Sequence, residues 1–69
     1  MIEIFPGDVV SIKDGSFALV YKEPIAIREF EEKYIVFYPV IGDFGKEVIS
    51  ERQINWEVTV SLHNYIYEK

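Results

Sequence analysis

Trp56-Glu57-Val58-Thr59-Val60-Ser61-Leu62-His63 carries the cleanest local pattern in the chain. Trp56, Val58, Val60 and Leu62 fall on one parity, and Glu57, Thr59, Ser61 and His63 on the other. That is the period-2 alternation of a strand with one buried face. At 3.6 residues per turn, the same four apolar side chains would be scattered around a helix. The spacing therefore predicts a strand over 56–63.

The rest of the chain extends the same reading. Val9-Val10-Ser11-Ile12-Lys13 and Ser16-Phe17-Ala18-Leu19-Val20-Tyr21 are β-prone runs separated by Asp14-Gly15, a dipeptide suited to a tight type I′ turn. Pro6-Gly7 punctuates the start of this hairpin, and Pro24 interrupts the chain after it. Ile25-Ala26-Ile27-Arg28-Glu29-Phe30 alternates again, and Glu31-Glu32-Lys33 is polar enough for a turn. Tyr34-Ile35-Val36-Phe37-Tyr38 is the most β-prone run of all. Pro39 is expected to end it or leave it on a sheet edge. Gly42-Asp43-Phe44-Gly45 reads as a loop and Lys46-Glu47-Val48-Ile49 as a short strand. Ser50-Glu51-Arg52-Gln53 has the length for one short turn of helix before Ile54. Nowhere does an apolar stripe of period 3.6 persist for about ten residues.

Roughly five to seven short strands with turns between them indicate an all-β fold, a small barrel or sandwich. Curling the sheet lets its inward residues be buried from both sides. The expected core is Val10, Ile12, Leu19, Ile27, Ile35, Phe37, Val48, Ile54, Val58 and Val60. The 9–21 hairpin is apolar on both faces, so its buried parity stays open.

Composition bounds the function. The chain has 69 residues, expected to form a single domain over 1–69, and it lacks cysteine. No disulfide or zinc–thiolate site can form, and a reducing cytoplasmic location is expected. With 49 % hydrophobic and 16 % aromatic residues, packing must supply the stability, and disorder is not expected. No apolar run reaches the ~20 residues of a membrane span. Met1-Ile2-Glu3-Ile4-Phe5-Pro6 has no basic flank and does not read as a secretion signal. The net charge of −5 opposes unspecific attraction to nucleic acid or anionic lipid.

Gly7-Asp8-Val9-Val10-Ser11-Ile12 resembles the opening strand of SH3-like barrels of the KOW and Tudor-like kind. Gly45-Lys46-Glu47-Val48-Ile49-Ser50-Glu51-Arg52-Gln53-Ile54 resembles the strand, short 3₁₀ turn and final strand that close them. The resemblance implies an SH3-like barrel of about five strands. It also implies an alternative nucleic-acid-binding role, in which Lys13, Lys22, Arg28 and Arg52 would act with nearby tyrosines stacking on bases. Beyond residue 60, Tyr65-Ile66-Tyr67 is long enough to continue the last strand and pair with Met1–Phe5 as a terminal β-ribbon.

His63 is the only histidine, and with no cysteine present it has no companions for a triad or a metal site. By alternation it should point to solvent. Glu23, Glu29, Glu31 and Glu32 lack the ligand order of a calcium loop and read as a solvated turn. Gly42-Asp43-Phe44-Gly45 lacks the lysine of a phosphate loop. No nucleophile–base pair stands out, so neither an enzyme, a cofactor nor a metal is expected.

The aromatic residues are more informative, because tyrosine and tryptophan bring large area with few rotors to binding surfaces. If Ile35 and Phe37 point inward, Tyr34, Val36 and Tyr38 point outward together as a docking row. The candidate binding residues are Tyr34, Val36, Tyr38, Phe44, Tyr65 and Tyr67. The expected function is a small protein-interaction module, an accessory or bacteriophage-type regulatory factor. It would dock another protein, or a second copy of itself, through this face or by β-augmentation along a free edge.

Overall fold

A computed structural model describes residues 3–30 and 33–67, apart from the side chains of Glu29, Phe30 and Tyr67. Five strands come first: β1 (Val9–Ser11), β2 (Phe17–Val20), β3 (Ile25–Phe30), β4 (Lys33–Gly42) and β5 (Gly45–Ser50). A 3₁₀ turn (Glu51–Gln53) and a helix, α1 (Trp56–Tyr67), follow. The strands make one antiparallel sheet that curls into a half-barrel.

The first hairpin is set by its turn. Asp14 Oδ1 accepts from the Ser16 backbone at 2.8 Å and from the Ser16 hydroxyl at 2.6 Å. Gly15 sits at φ +94°, which a residue with a Cβ adopts only with strain. β4 is the spine. β5 pairs along one edge of it, while β2 and β3 lie end to end along the other, Val20 opposite Val40 and Ile25 opposite Phe37.

Pro39 does not end β4, nor does it lie on a sheet edge. Its carbonyl accepts from Tyr21 N at 3.1 Å, so its N–H position points to the same side. That side faces Tyr21 at the end of β2, where the chain leaves the ladder before β3 begins. The central strand loses only one ladder bond to the proline, at the point where β2 pairing ends.

The half-barrel closes where Ile12 bridges Ile54. Lys13 N donates to the Gln53 carbonyl at 2.9 Å, and Asn55 N to the Ser11 carbonyl at 2.8 Å. The 3₁₀ turn before this bridge is capped by Ser50, whose N–H donates to Gln53 Oε1 at 3.0 Å. Glu51 ties the turn to the spine by accepting from Val36 N at 3.0 Å, and its carbonyl accepts from Trp56 Nε1 at 3.1 Å.

Val10, Ala18, Val20, Tyr38, Val40 and Ile49 line the concave face, with Ile4, Ile12 and Ile54 packed onto them. Val36 and Trp56 cover the rim, and the Tyr38 and Trp56 rings meet edge to face at 6.4 Å. Val10, Ile12, Ile35 and Ile54 are buried as expected. Leu19, Ile27, Val48 and Val58 are exposed instead, while Phe37 and Val60 are half-buried. In β2 and β5 the apolar neighbours of the other parity, Ala18, Val20 and Ile49, face the core instead, whereas residues 25–28 of β3 are exposed on both parities.

The larger correction is the C-terminal segment. It is not a strand, and Tyr65-Ile66-Tyr67 forms no terminal β-ribbon with the chain start, whose Met1 and Ile2 lie outside the described residues. Asn55 caps the helix: its Oδ1 accepts from Val58 N at 3.3 Å and its carbonyl from Thr59 N at 3.0 Å. Thr59, Leu62, His63 and Ile66 form a stripe of i, i+3, i+4 and i+7 spacing. That stripe faces Ile4, Gly7, Asp8 and Val9. β-Branched residues at 58–60 cost a few tenths of a kcal/mol each in a helix. Docking against the open side of β1 outweighs that cost.

Candidate functional site

Alternation places one side chain of every strand pair on the concave face and its neighbour on the convex face. With the core on the concave side, Leu19, Ile25, Ile27, Ile41 and Val48 of the opposite parity are left exposed, while Ile35 and Pro39 between them are buried and Phe37 is half-buried. Ile27 stands opposite Ile35, Ile25 opposite Phe37, Leu19 opposite Ile41, and Val48 opposite Pro39. Directly opposite side chains in an antiparallel pair have Cβ atoms about 5 Å apart. These pairs therefore form a continuous apolar band across four strands. Val48 is 60 % exposed and Ile27 50 %. α1 packs on β1, away from this band.

Charge enters the band at one place. Tyr21 continues the β2 parity into the break before β3, and two ammonium groups approach its ring. Lys46 Nζ lies 5.2 Å from the ring centroid and Lys22 Nζ 5.9 Å.

The Tyr34–Val36–Tyr38 row does not form. Tyr34 is exposed, Val36 is half-buried against the core, and Tyr38 is only 7 % exposed within it. Burial raises the Tyr38 phenol above its ordinary value, with a smaller push from the Glu51 carboxylate. The row fails because Val36 and Tyr38 share their parity with Val40, and that parity is the concave one. Ile35 is buried as well, on the opposite face.

Phe44 is 99 % exposed at the tip of the β4–β5 turn. Tyr34 lies eight residues of strand from Gly42, about 27 Å at 3.3–3.4 Å per residue, so Tyr34 and Phe44 are not one patch. Tyr65 is exposed on α1, and the side chain of Tyr67 lies outside the described residues. Of the proposed binding residues whose side chains are described, none falls in the convex band. The signal that would have found the band is the double-sided apolarity of Phe17–Val20 and Ile35–Ile41, which leaves one face uncovered whichever is buried.

His63 does not point to solvent. It is half-buried in a small cleft shared with Ile4, Asp8, Thr59 and Ile66. Of the acidic group, Glu31, Glu32 and the Glu29 side chain lie outside the described residues. Among the described residues, no three potential metal ligands gather, and no helix is long and apolar enough to cross a membrane. Comparison with known proteins found no match among family models, curated proteins or solved structures.

Proposed function

We propose that this chain is a protein-interaction module, an accessory or regulatory factor that docks another protein on the convex face of its sheet. The observation that carries the reading is the set of exposed apolar side chains Leu19, Ile25, Ile27, Ile41 and Val48 on the face opposite the core cluster. Contiguous exposed apolar surface of this kind marks interaction sites more often than chance surface does. The order of the elements supports an SH3-like architecture: a hairpin, a long bent strand system, a 3₁₀ turn and a closing bridge onto β1. Small barrels of that kind host many binding functions, so the assignment rests on the face and not on the fold.

The test is a partner captured from the host and then purified. Its affinity is compared by calorimetry between the native chain and the Ile27→Ser/Val48→Ser variant, with folding checked by dichroism. Burying each apolar side chain is worth about 1.5–3 kcal/mol. The variant should therefore bind at least about tenfold more weakly. Equal affinity, or no partner at all, would overturn the proposal.

A further inference from the structure

Lys22 and Lys46 come from different elements, the β2–β3 break and β5, on opposite sides of β4. Both are exposed, yet both ammonium groups gather at the one half-buried ring of Tyr21. The chain has 12 acidic residues against 7 basic ones, so a lysine here would ordinarily find a carboxylate. Among the described residues, neither of these two does. Leu19, Ile41 and Val48 surround the pair with apolar surface and bring no acid of their own. An acidic chain thus holds, among the described residues, two cations without a carboxylate partner beside its exposed apolar side chains.

Resting on the interaction reading above, we infer that the convex face takes an acidic, apolar segment of another protein, one carboxylate lying between Lys22 and Lys46 beside Tyr21. Charge complementarity selects this occupant. A second copy meeting through the same patch with Tyr21 at the two-fold axis would bring its own Lys22 and Lys46 close to these, because residues at such an axis meet their own copies. A nucleic acid needs a track of cations along its backbone, whereas here two cations sit in an apolar field on a chain of net charge −5. A carboxylate flanked by apolar side chains matches both features at once.

The experiment selects a displayed library of random peptides on the native protein and synthesises the winners. Affinities are measured for the native chain, Lys22→Glu/Lys46→Glu and Val48→Ser, with the fold of each variant confirmed by dichroism. Winners rich in Asp or Glu beside apolar residues are expected. Their binding should weaken with added salt, fall about tenfold in the double lysine variant, and fall when their acids become amides. Winners without acidic residues that lose affinity in Val48→Ser but not in the lysine variant would overturn the inference and leave the interaction reading standing. No winner sensitive to either variant would overturn both. Lysine-dependent binding of oligothymidine, or a dimer in sedimentation that the lysine variant dissociates, would replace the acidic segment with another occupant.

Discussion

The Ser11 N–H donates to the Thr59 hydroxyl at 2.9 Å, joining the outer edge of β1 to the buried face of α1 across 48 positions of sequence. Thr59 is 1 % exposed, so no water can take over if the hydroxyl is removed. Thr59→Val keeps the shape and strands the donor. It should cost about 1–3 kcal/mol, the desolvation of an unsatisfied buried group, while Thr59→Ser, which keeps the oxygen, should cost less. Urea unfolding of the three proteins measures the difference.

Asn55 starts the helix that delivers Thr59. Asn55→Ala removes the side-chain acceptor for Val58 N and should destabilise the protein by about 1 kcal/mol. Loss of far-ultraviolet helical signal on mild heating, ahead of the sheet, would show that α1 leaves first.

Val58 separates the two readings of this segment. On a strand, Val58→Asp would put a charge into the core. On the helix, Val58 is 40 % exposed in the first turn, where the dipole favours an acid. The variant should stay folded, within about 0.5 kcal/mol of the native protein. Val10→Asp, at a fully buried position, should abolish the cooperative transition.

Tyr38 should make stability fall at alkaline pH. Its phenol is held above the ordinary value of 10.0, first by burial and then by Glu51, so the folded state keeps the proton more tightly than the unfolded chain. That contribution is intact below pH 10.0 and is lost as pH rises through and above it. Unfolding measured across this range should lose part of its pH dependence in Tyr38→Phe.

Asp14 acts in the opposite direction. The Ser16 hydroxyl, then the Ser16 backbone N–H, hold its carboxyl below the ordinary value of 3.8. Its contribution is present above pH 3.8 and is lost as pH falls through the lowered value. In Ser16→Ala the carboxyl resonance should titrate closer to 3.8, without reaching it, because the backbone bond remains.

Much of the architecture was legible where local chemistry is sufficient. Asp14-Gly15 makes its turn without help, and the strand over 25–30 appears as read. The short turn before Ile54 is present because Ser50 and Gln53 cap each other locally. The candidate site was not legible. Tyr34, Val36 and Tyr38 share a parity, but nothing within the strand says which parity the core takes, since Ile35 and Phe37 are equally apolar.

The sequence by itself determined that this chain builds short antiparallel strands joined at Asp14-Gly15 and Gly42–Gly45, because turn geometry and β-branched runs act over a few neighbouring bonds. Only the tertiary structure decided that Trp56–Tyr67 is helical, that Tyr38 lies inside and that Val48 lies outside. The alternation Trp56-x-Val58-x-Val60 overlies a second spacing in the same segment, Thr59, Leu62, His63 and Ile66, that fits one helix face. The choice fell to a distant group, the open N–H of Ser11, which Thr59 satisfies from α1.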